Sequence, residues 1–300
     1  VREASVPDRP SPLTRSPLSH SVTVDGVEVR YGIRGTGDRD LLLVHGSGAH
    51  HVWWHAVAPT LESTWRVISV DLSGHGDSGH RDDYAAGTWA EELMAVLSAA
   101  RARRPVVAAH SLGGRVALLA ASRQPQELAG LVLFDTGIWA PDHLLDRPLP
   151  PRTVRPARVH PSLEEARARF RLMPPQPQPP AGLLDPVAEY SLRAVDGGWV
   201  WKHDTGGFPT LYEEAIERAA ASVTVPVAYV YGAVSSVVDS ARAARAVSTI
   251  PDVTAVRLPG AHHHLMLEFP ESCAALIEEF GSQHLTRALR AGPPDDGRWT

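Results

Sequence analysis

The stretch VVAAHSLGGR, residues 106 to 115, decides the fold. Four small or β-branched residues in a row followed by His110 read as a buried strand, and LGGRVALLAASRQ just after them reads as a helix with an apolar face. Between the two stands Ser111, at a turn tight enough to require small residues on either side. Ala109 and Gly113 provide them, so the stretch fits a nucleophile elbow in which Ala109 replaces the first glycine of Gly-x-Ser-x-Gly. Read alone, a serine before a Gly pair is also an N-cap. Its place after a core strand and before an amphipathic helix favours the elbow.

On either side of this stretch, further short apolar runs alternate with helical patterns. LLLVH, RVISVD, PVVAAH, LVLFD, VPVAYVYG and VTAVRL are nearly continuous hydrophobic segments, as expected for parallel strands covered on both faces. TWAEELMAVLSAARA is one of the helices between them. SVTVD and VEVRYGI flank Asp25-Gly26 and predict a hairpin. The expected fold is therefore a doubly wound, mostly parallel α/β sheet. From residue 140 to 206 the alternation stops and the chain becomes rich in Pro, Arg and Trp, which predicts an inserted lid of irregular helical character. HDTGGFP returns the chain to the core. Residues 20–139 and 207–288 are expected to form that core, with disordered tails at 1–19 and 289–300.

The chain has 300 residues, 43% of them hydrophobic, enough for one core with an insertion. No run reaches the 18 or more apolar residues of a membrane span, and the N-terminal stretch has no apolar signal core. The expectation is a cytoplasmic protein. A net charge of −5 gives no basic footprint for nucleic acid. The single cysteine, Cys273, excludes an internal disulfide framework and a multi-thiolate zinc site. Oligomeric state is not readable.

Two more segments carry chemistry. In LLLVHGSGAHHVWW the glycines after His45 let backbone N–H groups turn toward a nucleophile, and the amides of Ser47 and Leu112 are the expected oxyanion donors. RLPGAHHHLMLEFPE, residues 257 to 271, follows the last strand and offers a histidine base on a loop at the carboxyl edge of the sheet. Successive histidines point in different directions, which argues against a shared metal ion. His45, His50, His51 and His55 read as core or pocket-lining residues. No metal or cofactor is expected.

Together these segments resemble the α/β-hydrolase superfamily, in its cap-bearing esterase and C–C hydrolase branch, over roughly residues 21 to 285. DLSGHGDSG, residues 71 to 79, is similar to the loop after the family's fourth strand. The resemblance implies that His263, seven residues before Pro270, is the catalytic histidine, with His262 in the place of a usual glycine. It also implies an acid just after VPVAYVYG, where this chain has Ser235 and Ser236. Two carboxylates remain: Asp239, further on in what reads as a helix start, and Asp135, ending LVLFD 24 residues after Ser111. The reading favours Asp135.

The implied reaction is acyl transfer to water through an acyl-enzyme on Ser111, on a carboxylic ester or thioester of a small apolar or aromatic molecule. A serine at the elbow argues against the alkyl-enzyme chemistry of haloalkane dehalogenases and epoxide hydrolases. Trp53, Trp139, Trp199 and Met266 are the expected substrate-binding residues. A C–C bond hydrolase with the same triad and a non-catalytic ligand-binding protein on the same fold are the alternatives.

Overall fold

The computed structural model describes residues 18–139, 156–204 and 214–290. Its main sheet has eight strands in the order β1-β2-β4-β3-β5-β6-β9-β10. These are β1 (His20–Val24), β2 (Val27–Arg34), β3 (Arg39–Val44), β4 (Trp65–Asp71), β5 (Val106–His110), β6 (Gly130–Phe134), β9 (Val227–Gly232) and β10 (Val253–Leu258). The hairpin at Asp25-Gly26 forms as the sequence implies, with both turn residues at positive φ (46° and 77°). β2 runs antiparallel to both β1 and β4, and the remaining neighbours pair in parallel.

β3, β5 and β6 are buried along nearly their whole length, as their apolar runs require. β10 departs from the expectation of strands covered on both faces: it is an edge strand, and none of its six residues is fully buried. Arg257 and Thr254 give that edge polar positions, which blunt it against further pairing.

Helices cover both faces. On one lie α2 (Ala86–Ala99), α3 (Leu112–Arg123), α6 (Glu214–Ser222) and α7 (Ser240–Thr249), around a core that includes Trp89, Leu118 and Tyr229. On the other lie α1 (Ala58–Leu61), α8 (Leu265–Glu268) and α9 (Pro270–Arg290), packing Trp54, Trp65, Phe134 and Ile277. After β3 and β4 have been laid down on one side, the chain crosses to place β5 on the other side of β3. That switch point leaves a crevice beyond the carboxyl ends of β3 and β5.

The expected lid lies in part outside the described residues, namely at 140–155 and 205–206. What is described is only partly helical: two short helices, α4 (Leu163–Arg167) and α5 (Asp185–Tyr190), are followed by an antiparallel hairpin of β7 (Leu192–Val195) and β8 (Gly198–Trp201). The alternating LRAV and GWVW on either side of Asp196-Gly197 are a hairpin signal that the surrounding prolines obscured. This segment is tied to the core by polar contacts. Tyr190 donates to Asp77 at 2.6 Å, Lys202 pairs with Asp77 at 2.7 Å, and His50 and Ser191 bond at 2.9 Å.

At the termini the described chain extends slightly past the expected core boundaries, to residues 18 and 290. Leu18 is buried and its carbonyl accepts from Arg30, and α9 continues to Arg290. Residues 1–17 and 291–300 lie outside the described residues. Among the described residues no helix is long and apolar enough to cross a membrane.

Candidate functional site

Ser111 sits between β5 and α3 with φ 51° and ψ −115°, a backbone conformation that L-residues rarely adopt. Of residues 105 to 121 it alone is not fully buried. The surroundings explain why its neighbours are small. A Cβ on Gly113 would come within 2.5 Å of the His45 carbonyl, and one on Gly114 within 1.9 Å of Thr136 Oγ1. Ala109 is buried in β5 beside Val44 of β3 and Leu133 of β6, so its methyl fits. The Ser111 N–H donates to Phe134 O at 3.0 Å, which pins the turn to the end of β6.

Asp135 follows directly at that end, itself at φ 44°, and is fully buried. It accepts three hydrogen bonds: from Gly232 N at 2.9 Å, from Ser235 Oγ at 2.5 Å and from His263 Nδ1 at 2.7 Å. The carboxylate standing against His263 is therefore Asp135. Asp239 instead caps α7, its side chain accepting from Arg242 N at 2.8 Å. Ser235, where the family resemblance implies an acid, has a supporting place: Val237 N and Val238 N donate to its hydroxyl while it donates to Asp135.

Burial pushes the Asp135 carboxyl up, against the pull of its Ser235 and Gly232 donors. Burial also lowers the His263 imidazole, and the Arg115 guanidinium adds to that shift. The ring is thus kept neutral, with Nδ1 facing Asp135 and Nε2 left over.

A cavity of about 170 Å³ opens beside these groups, walled among others by Gly46, Ser47, Trp53, Ser111, Leu112 and His263. Leu112 is the first residue of α3, where a backbone N–H has no partner within the helix. Ser47 is exposed in the turn after β3. An outer chamber of about 290 Å³ shares Ser47, Trp53 and Met173 with the first and adds Phe170, Trp201, Arg169 and Arg171 from the inserted segment.

The expected substrate-binding set needs correction. Trp53 lines both chambers, its ring 4.8 Å from that of His264. Trp139 is buried in the core with the Arg245 guanidinium 4.2 Å from its ring, because the chain turns it toward α7 rather than into the crevice. Met266 is fully buried on the opposite core face, pointing inward from α8. Trp199 belongs to neither chamber wall; its backbone pairs with His160, and Trp201, two residues on, is the β8 tryptophan that reaches the outer chamber.

Arg115, Met173, Phe170 and His110, none of them among the residues expected from the sequence, each line one of the chambers. Arg115 had a legible signal, since it lies four residues after Ser111 on the same helix face. His45 and His51 take structural roles. His45 Nε2 accepts from Leu72 N, joining the ends of β3 and β4, and His51 pairs with Asp71 at 2.9 Å. Although His262, His263 and His264 point in different directions along the chain, a histidine from another strand joins two of them. The fold brings His110 to His263 and His264, and one ring nitrogen of each lies within 4.8 Å of the other two.

Comparison with known proteins agrees with this architecture. The chain is 28% identical over 182 residues to a "Serine hydrolase-like protein" of Danio rerio, an alignment covering 55% of this chain and 55% of that one, so the chain spans about half the length of that relative. It is 29% identical over 266 residues to the "Pimeloyl-[acyl-carrier protein] methyl ester esterase" of Edwardsiella ictaluri, covering 81% of this chain and 94% of the relative. Among solved structures, that of E-2-(acetamidomethylene)succinate hydrolase superposes with a TM-score of 0.74 at 24% identity, over 88% of this chain and 98% of the other, which speaks to the fold. Residues 41–276 match the model of the alpha/beta hydrolase family, and with most of its length inside that match the chain belongs to this family.

Proposed function

We propose that the protein is a serine hydrolase that cleaves a carboxylic ester or thioester through an acyl-enzyme on Ser111. The observation that carries this reading is the 2.7 Å contact between His263 Nδ1 and the buried Asp135 carboxylate, with His263 lining a cavity that Ser111 also lines. Asp135 fixes the tautomer that leaves Nε2 of His263 free to take the serine proton. It also stabilises the imidazolium that forms. The attacking Ser111 oxygen bonds to the substrate carbonyl carbon, whose oxygen becomes an anion facing the Ser47 and Leu112 amides. Imidazolium then protonates the leaving alcohol or thiol, and a water activated by the same histidine releases the acid.

The two chambers support a small substrate with an apolar or aromatic group against Trp53, Phe170 and Trp201. Residues 156–204 act in this reading as a lid whose contents set specificity. The name of the Edwardsiella relative favours ester chemistry over the C–C alternative.

The test is a fluorophosphonate reaction followed by intact mass and peptide mapping, with wild type beside Asp135→Asn. Stoichiometric label on Ser111, with much slower labelling and an aryl-ester turnover about 10⁴ lower in the variant, is the expected result. An unlabelled Ser111 in the wild type overturns the nucleophile assignment.

A further inference from the structure

His110 and His264 play no part in the reaction just described, yet both are buried against its base. His110 is 2% exposed and His264 3%. Buried polar atoms without a partner are rare enough in folded proteins to need a reason. Here His110 Nδ1 makes no hydrogen bond, and neither nitrogen of His264 has a partner at full hydrogen-bond geometry, although the backbone of Met173 and Pro174 approaches that ring. All three rings line the inner cavity together with Ser111. His110 Nδ1 faces the turn beside the nucleophile, since a Cβ at Gly46 would lie 2.8 Å from it and 3.2 Å from Ser111 Cβ.

The groups behind these rings resemble those behind metal-bound imidazoles, in which the second ring nitrogen is held by a carboxylate or a backbone carbonyl. His263 Nδ1 is held by Asp135, and His110 Nε2 lies 2.9 Å from the His263 carbonyl. The carbonyls of Met173 and Pro174 stand near His264. Because a carbonyl only accepts, His110 Nε2 carries the proton in its contact with the His263 carbonyl and Nδ1 presents its lone pair to the cavity.

We infer that His110, His263 and His264 form a binding site for a borderline divalent cation such as Zn²⁺, which occupies the base of the proposed hydrolase and switches it off. Three imidazoles suit Zn²⁺, Co²⁺ or Cu²⁺ and not Mg²⁺ or Ca²⁺, which require oxygen ligands. Tetrahedral Zn–N bonds of 2.0–2.1 Å set nitrogens about 3.3 Å apart. The rings therefore close by roughly an ångström or more from their present separations, which rotation of His264, held by no strong hydrogen bond, accommodates. The ion takes the Nε2 lone pair that would otherwise accept the Ser111 proton, so binding and catalysis exclude each other. The inhibitory consequence rests on the proposed function, whereas the binding itself does not.

The two are separated by measuring binding on the full chain carrying Ser111→Ala, with ZnCl₂ titrated in competition with a chromophoric chelator. One equivalent of zinc is expected, with affinity weakened tenfold or more by His264→Gln and by His110→Gln. His262→Gln, whose ring is tied to Glu268 outside the cluster, should leave it unchanged. Absence of zinc binding, or binding indifferent to both cluster substitutions, overturns the site. Co²⁺ added to the chain without cluster substitutions keeps the test independent of how the variants fold: an intense four-coordinate visible spectrum supports the site, and a pale six-coordinate one overturns it. In the active protein zinc should abolish aryl-ester turnover and EDTA restore it. Bound zinc with undiminished turnover places the ion away from His263 and overturns the inference, while a protein without any turnover refutes the hydrolase and leaves the binding result standing.

Discussion

Ser235 donates its hydroxyl proton to Asp135 while accepting from two backbone N–H groups, so its geometry is set by the turn and not by its own rotamer. Removing that hydroxyl strips a buried carboxylate of one of three donors. A hydrogen bond to a charged group contributes about 1.5–3 kcal/mol. Ser235→Ala should therefore lower kcat/KM by about tenfold or more, with little change in KM, because the orientation of His263 and not the fit of substrate is affected; a kcat unaltered by the substitution would refute that coupling. The protonation of His263 yields a second expectation at this scale. Burial and Arg115 both disfavour the imidazolium, and the proposed base works only when neutral. Activity is then retained as pH falls below 6.5, and the acid inflection of kcat/KM lies below that ordinary imidazole value. An inflection at or above 6.5 would show that the Asp135 charge dominates over burial.

At the scale of elements, the site depends on how closely α3 approaches β3. Gly113 is where they meet, and a methyl group there collides with the backbone carbonyl of His45. No flexible side chain can yield, so α3 must move as a body. Gly113→Ala should cost about 1–3 kcal/mol, read as a lower midpoint in urea, and should reduce fluorophosphonate labelling at Ser111. Equal stability would mean that α3 can move away from β3 at no cost. The inserted segment shows the limits of reading elements from local composition. Prolines at 174, 175, 177, 179 and 180 point to irregular chain, yet β7 and β8 pair across Asp196-Gly197, with Gly197 at φ 86°. β10 shows the reverse, since its apolar sequence reads as a central strand although it closes the sheet at an edge.

Over the whole molecule, histidines are buried in unusual number for their polarity. His45, His50, His75 and His110 are enclosed, and burial lowers each of them. Lowered folded values mean that the unfolded chain binds protons more readily below pH 6.5, so the stability they confer is present above that pH and lost as it falls. Each adds to that loss as pH falls from the ordinary imidazole value toward its own lowered one. Glu92 and Asp135, raised by burial, act in the opposite sense but are fewer. The melting temperature should decline steadily from pH 7 to pH 5, well before ordinary carboxylates titrate; a flat profile over that interval would show that these rings are hydrated in solution.

The amino-acid sequence by itself determined the strands β3 to β6, β9, the first hairpin and the sharp turn at Ser111, because each rests on contacts within a few residues: hydrophobic period, Asp-Gly turn geometry and the small neighbours of a tight bend. It also narrowed the partner of His263 to two aspartates. Tertiary structure alone decided between them, since Asp135 and His263 lie 128 residues apart and meet only through the order in which β6, β9 and β10 are laid side by side. The cavity walls were decided in the same way. Trp139, Trp199 and Met266 occupy the right segments, but which way a side chain faces depends on the twist and packing of elements that no local pattern encodes. His110 joins His263 and His264 for the same reason, brought there by parallel pairing of strands distant in sequence.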